Sequence, residues 1–467
     1  MKKYLIGLLS LMLCLSACTN NTVQETINEE SIEETVESKS LISESDITVN
    51  ETLENTNDGE HVIEVSGSEE SYSNIAINKT GESSDDEADF YGENSAVFAT
   101  DSATLNLSEI IVKTNGTHAN AVFSYGEGTT VNISDSVIET SGNCSGGIMT
   151  TGNGTMNATN LNIHTTGNSS AAIRSDRGGG TVTVNGGSYV TDGKGSPVIY
   201  STADITVNDA YMESTSSQGV VVEGQNSVTL NDVELIADNN SKNSDKSDYY
   251  QAVMIYQSMS GDADEGLASF TMNNSSLLNK QGDIFFVNNT VATINLNNVD
   301  IANEDKTGLF LRAQAAGWGN SGSNGGHVTL NAYNQTINQD ILVDEVSTLN
   351  MYLKDNSVFN GSIENSGEVY VEIESGSKWV LTSDTYITSL TCEEDEIDLN
   401  GYKLYVNGVE YTENTASSGE AIVVEISSSN NGFNESGMPG NNQELPAKPD
   451  GNGQESPAKP DGNGPKH

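Results

Sequence analysis

Basic residues are scarce in this chain of 467 residues. Lys and Arg together number 19 against 67 Asp and Glu, which gives a formal net charge of −48. The arginines are only Arg174, Arg177 and Arg312, and no basic stripe exists. Because affinity for phosphate needs clustered Lys or Arg, the composition excludes nucleic acid as a partner and excludes direct binding to an anionic membrane surface.

Long hydrophobic runs are also lacking beyond the start of the chain. Lys2 and Lys3 precede an apolar run from Leu5 to Leu15, which is typical of a secretory signal. The segment Leu15-Ser16-Ala17-Cys18 is similar to the bacterial lipobox, so we expect Cys18 to be diacylated. No later stretch approaches the roughly 18 apolar residues of a spanning helix. The rest of the chain is therefore expected outside the cytoplasm, attached to the cell envelope only through the lipid on Cys18.

Cysteines are few, and four occur in total. Cys14 would leave with the signal, and Cys18 is assigned to the lipid. Cys144 and Cys392 remain, and they lie too far apart in the repeat order for a disulfide if successive repeats stack about 4.8 Å apart. We expect two buried or half-buried thiols without a metal role.

The chain repeats a Thr-x-Asn triplet centred on an aliphatic residue or Met, roughly every 25 residues, a period typical of stacked repeats. The triplets begin at Thr104, Thr130, Thr155, Thr183, Thr206, Thr229, Thr271, Thr293, Thr329 and Thr348. The recurrent Asn has a structural explanation, since a stacked column of Asn can hydrogen-bond from one repeat to the next.

Each repeat contains three short β-branched runs, of which the triplet is the second. This pattern predicts an all-β fold, a right-handed parallel β-helix solenoid of about ten coils. A leucine-rich repeat is excluded because its Leu-x-x-Leu-x-Leu framework is absent, and a propeller would need a longer period.

Composition divides the chain into five segments. We expect a lipoprotein signal peptide at 1–17, an acidic disordered spacer at 18–60, the β-helix at 61–344, a β-rich C-terminal cap at 345–428 and a disordered Pro/Gly-rich tail at 429–467. Trp379 in the cap is expected to be a core residue.

Alignment of the first runs places one residue of each repeat in a common column. The column is Ala99, Ser124, Thr150, Arg174, Tyr200, Glu223, Tyr256, Val287 and Arg312. Neighbours would lie about 5 Å apart on one outer face, where guanidinium, carboxylate and phenol groups suit an extended polymer.

The turns after this column carry further candidate ligand-binding residues. They are Asp176 and Arg177 after Arg174, Gln257 after Tyr256, and Trp318 in the long loop after Arg312. Insertions in stacked repeats gather on the binding face, and Trp318 between glycines suits stacking on a sugar ring. The alternative is that these exposed positions are polar and unconstrained.

Two acidic turns offer oxygen ligands of the kind that Ca²⁺ prefers. They are the run Asp85 to Asp89 and the turn Asp262 to Glu265. Neither has the spacing of a calcium loop, so solvated acidic turns are the favoured interpretation and no cofactor is expected.

Three segments, Ser170–Gly180, Gly195–Ile205 and Tyr256–Ala263, resemble a group of bacterial surface β-helix proteins that are pectate-lyase-like in fold and adhesin-like. The resemblance covers about residues 80–335 and implies this fold and a cell-surface location, with no established activity to transfer. Pectate lyases of this fold use Ca²⁺-binding Asp residues and a catalytic Arg or Lys. Polygalacturonase-type hydrolases carry Gly-His-Gly and Arg-Ile-Lys motifs, and both are absent here.

The favoured hypothesis is a lipid-anchored surface protein that binds an extracellular glycan or another surface polymer without catalysis. A polysaccharide lyase, with Arg174 or Arg177 beside Asp176 and Glu223, or a hydrolase, is the enzymatic alternative. A structural spacer with no ligand is the third.

Overall fold

The computed structural model describes residues 41–426, with the exception of Asp86. The expected signal peptide, the lipidation site Cys18, the spacer before residue 41 and the tail at 429–467 lie outside the described residues. Within the described part, no helix has the length and hydrophobicity needed to cross a bilayer.

Strands make up most of the described chain. A 3₁₀ turn (Glu44–Asp46) is followed by β1 (Glu51–Asn55), β2 (Ile63–Ser66), β3 (Glu69–Ser73), β4 (Ile75–Lys79), the short helix α1 (Ala88–Tyr91), β5 (Val97–Thr100), β6 (Thr104–Ser108), β7 (Ile111–Thr114), β8 (Val122–Tyr125), β9 (Thr130–Thr140), β10 (Ile148–Thr151), β11 (Gly154–Thr165), β12 (Ile173–Ser175) and β13 (Gly180–Thr191). The middle part contains β14 (Ile199–Ser201), β15 (Asp204–Asn208), β16 (Tyr211–Ser214), β17 (Val220–Glu223), β18 (Ser227–Asn231), β19 (Glu234–Ala237), β20 (Gln251–Tyr256), β21 (Leu267–Asn273), β22 (Ser276–Asn279), β23 (Asp283–Asn288), β24 (Thr290–Asn297), β25 (Asp300–Asn303) and β26 (Leu311–Ala313). The last part contains β27 (Gly326–Tyr333), β28 (Thr336–Asn338), β29 (Ile341–Val343), β30 (Thr348–Lys354), β31 (Val358–Asn360), β32 (Ile363–Asn365), β33 (Glu368–Ile373), β34 (Lys378–Val380), β35 (Thr385–Ile387), β36 (Ser389–Thr391), β37 (Ile397–Asp398), β38 (Leu404–Val406) and β39 (Val409–Glu410).

The strands form long parallel sheets, which confirms the all-β prediction and is compatible with a parallel β-helix. One sheet of 12 strands orders β2, β5, β8, β10, β12, β14, β17, β20, β23, β26, β29 and β32. A second sheet of 20 strands contains the strands of the Thr-x-Asn triplets and, up to β25, the strands that follow them. Each repeat up to β25 thus gives its first run to the twelve-stranded sheet and its other runs to the second, whereas β28, β31, β34 and β37 form a separate four-stranded sheet.

Alternation along each strand separates the core from the surface. In β6, Leu105 and Leu107 are buried, whereas Thr104, Asn106 and Ser108 are half-buried. This is the two-residue period of a strand that has one face on a core. The inward residues of successive strands join one continuous hydrophobic cluster, which runs from Ile63 to Leu404.

The triplet asparagines form the predicted hydrogen-bonded column in segments. Each Nδ2 donates to the Oδ1 of the preceding Asn, over 2.8–3.0 Å, in the runs Asn106–Asn132–Asn157, Asn185–Asn208–Asn231–Asn273 and Asn295–Asn331. The column breaks after Asn157 because that residue lies opposite Thr183 in the next strand. Asn185 lies opposite Thr159, two residues further along, and so does not reach Asn157.

Close stacking of the turns requires glycine at two neighbouring positions. A Cβ on Gly142 would lie 1.9 Å from the carbonyl oxygen of Gly116, and a Cβ on Gly167 would lie 1.8 Å from that of Gly142. No side chain fits between these backbones. These turns lead directly into β10 and β12 and fix how closely those strands stack.

The parallel stack extends beyond residues 61–344 on both sides. The parallel pairing begins before residue 61, because β1 pairs with β4. The region expected as a cap continues the parallel stack through β30, β33 and β36, and among the described strands antiparallel pairing occurs only between β38 and β39. Trp379 is fully buried, as predicted, and its Nε1 donates to the carbonyl oxygen of Gly361 over 2.9 Å.

Candidate functional site

The site lies on the outward face of the twelve-stranded sheet. On this face, outward side chains pack into small hydrophobic clusters instead of pointing into solvent. In β17, Val220 and Val222 join the main core, whereas Val221 packs in a separate outer cluster. That outer cluster also contains Met254, Tyr256 and Phe286. Large outward side chains therefore build a second, smaller layer on this sheet.

The predicted column of residues was wrong in register. Ala99, Ser124 and Thr150 are paired with one another, but Thr150 is opposite Ser175 rather than Arg174. Alternate residues of a strand face opposite sides, so the small residues point inward and Arg174 points outward.

The observed outward row that contains Arg174 is Phe98, Phe123, Met149, Arg174, Tyr200, Val221, Met254, Phe286 and Arg312. Glu223 and Tyr256 are opposite each other, two residues further along their strands. They still face outward, as Arg174 and Tyr200 do, whereas Ala99 and Val287 of the predicted column lie in the main core.

Arg174 is the buried centre of the site. Its Nη1 lies 2.7 Å from Asp89 Oδ2, and its Nη2 lies 2.7 Å from Asp176 Oδ2. Burial opposes the charge on this guanidinium, but the carboxylates of Asp89 and Asp176 outweigh burial and raise its pKa. Arg174 is thus held charged, with both ends of its fork already occupied.

Asp89 reaches the site because the loop between β4 and β5, including α1, folds over the outward face. Its Oδ1 lies 2.8 Å from His118 Nδ1, and the amide of Asn120 donates to its main-chain oxygen over 3.1 Å. The ring of Phe90 packs against both guanidinium groups. Its centroid lies 5.6 Å from Arg174 Cζ and 4.4 Å from Arg177 Cζ. The loop therefore closes one end of the site.

Arg177 joins the loop to a turn far along the chain. Its Nε donates to Asp262 Oδ1 over 3.2 Å, and its Nη1 donates to Glu87 Oε1 over 2.9 Å. Its Nη1 also donates to Tyr91 Oη over 3.3 Å. The interpretation of both acidic turns as solvated was therefore wrong for Asp89 and Asp262, which are paired with arginines.

Two tyrosines and a carboxyl group form the middle of the site. Tyr200 Oη donates to Glu223 Oε2 and lies 3.3 Å from Tyr256 Oη. The backbone N–H of Ser258 donates to Glu223 Oε1 over 3.2 Å. Glu223 has no exposed surface, so it orients the tyrosines from behind rather than facing a ligand.

Burial shifts the acid–base behaviour of this group. It raises the pKa of Asp176 to about 6 against the opposing charge of Arg174, with Asp262 and Asp89 adding to the rise. It also raises the pKa of Glu223, and it raises the pKa of Tyr200 and Tyr256 well above the usual value. Burial thus makes a negative charge costly in this part of the site.

Trp318 lies at the edge of a cleft, beside Tyr256. Its ring is edge-on to Tyr256, with centroids 5.2 Å apart, and Lys246 Nζ lies 5.9 Å from the Trp318 centroid. The side-chain amide of Asn324 donates to the main-chain oxygen of Trp318 over 2.7 Å, which fixes the loop. Trp318 remains half-buried, with part of its surface open.

Two of the predicted residues have other contacts. Gln257 is buried, and its amide donates to the main-chain oxygen of Ala263 over 3.1 Å, so it shapes a turn. Arg312 Nε donates to Asp283 Oδ2 over 2.6 Å, and its guanidinium lies 3.7 Å from the Tyr249 ring centroid. Arg312 thus supports Tyr249 and does not join the group around Arg174.

Two adjoining clefts open over these residues. The first has a volume of about 500 Å³ and is lined by residues that include Asp89, His118, Arg174, Asp176, Tyr200 and Tyr256. The second has a volume of about 260 Å³ and is lined by residues that include Tyr200, Val221, Tyr249, Met254, Tyr256 and Trp318. Tyr200 and Tyr256 line both, so the two clefts adjoin, and we refer to them together as the groove.

No family model matches this chain, and no curated protein or solved structure does either. The resemblance to surface β-helix proteins therefore rests on the sequence segments alone. The chemistry of the groove has to be argued from its own side chains.

The sequence reasoning missed Phe90 and His118, and it considered Asp89 only as part of an acidic turn and Cys144 only as a thiol without a metal role. A signal for two of them exists, because the turns before β8 and β10 align and place His118 and Cys144 at equivalent positions. Ser169 follows in the same column, and all three have a positive φ, of 57°, 54° and 55°. No comparable signal exists for Asp89, which reaches the site through the fold of its loop.

One group of side chains in the described part of the chain has the composition of a metal centre. The ligand atoms of Asp89, His118 and Cys144 all lie within 4.8 Å of one another. Cys144 was expected to have no metal role, and its neighbours give reason to revise that expectation.

Proposed function

We propose that this protein is a right-handed parallel β-helix, lipid-anchored through Cys18 and displayed outside the cytoplasm. The long parallel sheets support the β-helix, and parallel connections are right-handed in about 98% of cases. The lipobox-like segment supports the anchor. The proposed anchor attaches the folded part to the envelope membrane and leaves its groove free for an external partner.

We propose that the groove binds an extracellular glycan that lacks acidic groups, without catalysis. The observation that carries this proposal is the groove itself, which joins a polar cleft to an aromatic one through Tyr200 and Tyr256. Sugar chains present apolar ring faces and hydroxyl edges, which match the ring of Trp318 and the phenol groups of Tyr200 and Tyr256. The groove extends over neighbouring strands, as an extended chain requires.

The charges in the groove disfavour acidic polymers. Arg174 is shared by two aspartates, Arg177 pairs with Asp262 and Glu87, and Arg312 pairs with Asp283. No guanidinium is left to recognise a uronate. The raised pKa of Asp176 also reflects a site that does not favour additional negative charge.

The test is a binding screen of the purified full chain against neutral, amine-bearing and acidic polysaccharides. We expect binding to neutral or amine-bearing chains, weakened about 5- to 10-fold by Trp318→Ala, because an aromatic contact contributes about 1 kcal/mol. Tyr386→Ala is the matched control, since Tyr386 is an exposed aromatic residue on another sheet, stacked on Tyr405. Preference for acidic chains, or equal effects of the two variants, would contradict the proposal.

A glycoside hydrolase is the second candidate function, favoured by one observation. Asp176 lines the cleft with a pKa of about 6, which suits a general acid near neutral pH, and Asp262 lines the same cleft. Release of reducing ends during the binding screen, lost in Asp176→Asn, would establish this activity. A lyase is disfavoured, because the pKa values of both candidate bases, Arg174 and Arg177, are raised, so both stay charged and neither can act as a base.

A further inference from the structure

Three different donor groups converge at the end of the groove nearest the α1 loop. Among the described residues, Asp89, His118 and Cys144 are the group of three whose ligand atoms lie within 4.8 Å of one another. The closest measured pair is His118 Nδ1 and Asp89 Oδ1, at 2.8 Å. Two ligands of a tetrahedral zinc ion lie about 3.3–3.8 Å apart, since each bond is about 2.0–2.3 Å long. A small outward shift of these side chains would admit a metal ion.

Cys144 is not arranged as the nucleophile of a Cys–His–Asp triad. In a triad the imidazole separates the nucleophile from the carboxylate, because the base uses one nitrogen for each partner. Here the thiol sulfur lies within 4.8 Å of the ligand atoms of both Asp89 and His118. Three donors around one point are the arrangement of a metal centre.

The backbone holds two of these donors at equivalent positions of neighbouring repeats. His118 N donates to Asn143 O over 2.9 Å, and Cys144 N donates to Asn168 O over 2.8 Å. Both residues have a positive φ, a conformation that costs a non-glycine residue about 1 kcal/mol. Ser169 and then Gly195 occupy the same position in the next two repeats, and Gly195 adopts this conformation without that energetic cost.

Neighbouring groups orient Asp89 in advance. Arg174 Nη1 holds Asp89 Oδ2 at 2.7 Å, which leaves Oδ1 directed toward His118. The Asn120 amide fixes the Asp89 main chain from the other side. Outer partners of this kind are what hold metal ligands in place.

The formal charges also balance. A divalent cation would be neutralised by the Asp89 carboxylate and a Cys144 thiolate, while His118 contributes a neutral nitrogen. Arg174 is then balanced by Asp176. The buried group would carry no net charge, which is the condition under which charge is tolerated away from water.

We infer that Asp89, His118 and Cys144 form a binding site for a divalent transition-metal ion, with Zn²⁺ as the best-suited metal. Thiolate and imidazole ligands select this class over Ca²⁺ or Mg²⁺. Asp89, His118 and Cys144 all line the larger cleft, so a fourth coordination position faces its interior. The inference does not depend on glycan binding.

The test uses Co²⁺ as a spectroscopic probe for Zn²⁺, added to the reduced full chain. We expect one tightly bound Co²⁺ with a thiolate-to-cobalt charge-transfer band, displaced by one equivalent of Zn²⁺. The band should disappear in Cys144→Ser, and Zn²⁺ affinity should fall by more than the roughly 10- to 100-fold that loss of an outer partner costs. The matched control is Cys392→Ser, which removes the other thiol of the described chain and should leave the band unchanged.

Two results would overturn the inference. One is a wild-type chain that gives no charge-transfer band with Co²⁺, a readout that does not depend on any variant folding. The other is a band that survives Cys144→Ser, or one that His118→Ala leaves unchanged. Loss of glycan binding with the metal band intact would reject the proposed function and leave the metal site standing.

Discussion

Asp176 illustrates what burial costs a single charged residue on this surface. Its side chain is almost fully buried, and its pKa is raised to about 6 even though Arg174 lies 2.7 Å away. Burial is the main cause of this rise, and the guanidinium of Arg174 is shared with Asp89, so its charge offsets the effect of burial only in part.

The raised pKa of Asp176 predicts a specific pH dependence of stability. The folded state binds this proton more tightly than the unfolded state, so its contribution is most favourable below about pH 4 and is lost as pH rises through about 6. The loss amounts to about 3 kcal/mol at most, because each tenfold difference in proton affinity between the two states corresponds to about 1.4 kcal/mol. Urea unfolding at pH 4 and pH 7 gives the change in the free energy of unfolding between the two pH values. The contribution of Asp176 is the difference between this change in the wild type and in Asp176→Asn.

The control for this experiment is Glu234→Gln, which neutralises an exposed carboxylate. It should follow the wild-type stability at both pH values. Parallel pH profiles for wild type and Asp176→Asn would show that Asp176 has an ordinary pKa, and the electrostatic account of the groove would then fail.

At the scale of elements, the asparagine column links neighbouring strands of the second sheet. Asn231 lies inside a run, where it donates to Asn208 and accepts from Asn273, both over 2.8 Å. Asn157 lies at the end of its run and only donates, to Asn132, because its own neighbour in the next strand is Thr183. The two residues therefore differ in the number of hydrogen bonds they make within the column.

We predict that Asn231→Ala lowers the free energy of unfolding by about 1–2 kcal/mol and that Asn157→Ala lowers it by about half as much, since each bond contributes about 0.5–1.5 kcal/mol. Asn157→Ala is thus the matched control. Denaturant unfolding of both variants under one set of conditions measures the difference. Equal losses would show that the column contributes through side-chain packing and not through its hydrogen bonds.

The fold was largely predictable because its signals are local and repeated. Leu105 and Leu107 alternate with polar residues in β6, and the same alternation recurs in each triplet strand, so the strands could be located from the sequence. Register was harder to predict. Arg174 and Thr150 both end short apolar runs, and a slip of one residue exchanges the inward face for the outward face.

The candidate site was only partly predictable because a loop completes it. Arg174, Tyr200 and Tyr256 lie on repeated strands, so their common face followed from the pattern. Asp89 lies in a loop between strands, and nothing periodic indicated that the loop folds back over β12 to pair with Arg174. The identity of that partner depends on the path of the chain, which local patterns do not encode.

At the scale of the whole molecule, the two tryptophans report on different places. Trp379 is fully buried, is stacked on Phe359 and has its indole nitrogen hydrogen-bonded, so a ligand on the surface should not affect its emission. Trp318 is half-buried beside Tyr256 in the groove. The chain has no other tryptophan, so its fluorescence distinguishes the groove from the core.

The most direct test of the central claim is a fluorescence titration of the full chain with a neutral oligosaccharide that binds in the screen. The account predicts a saturable change in emission, reduced quenching of Trp318 by acrylamide, and no fluorescence change in Trp318→Phe, in which the ring is kept but the indole is lost. Binding that leaves the emission of the wild-type protein unchanged, or a change that persists in Trp318→Phe, would place the ligand elsewhere and contradict the account.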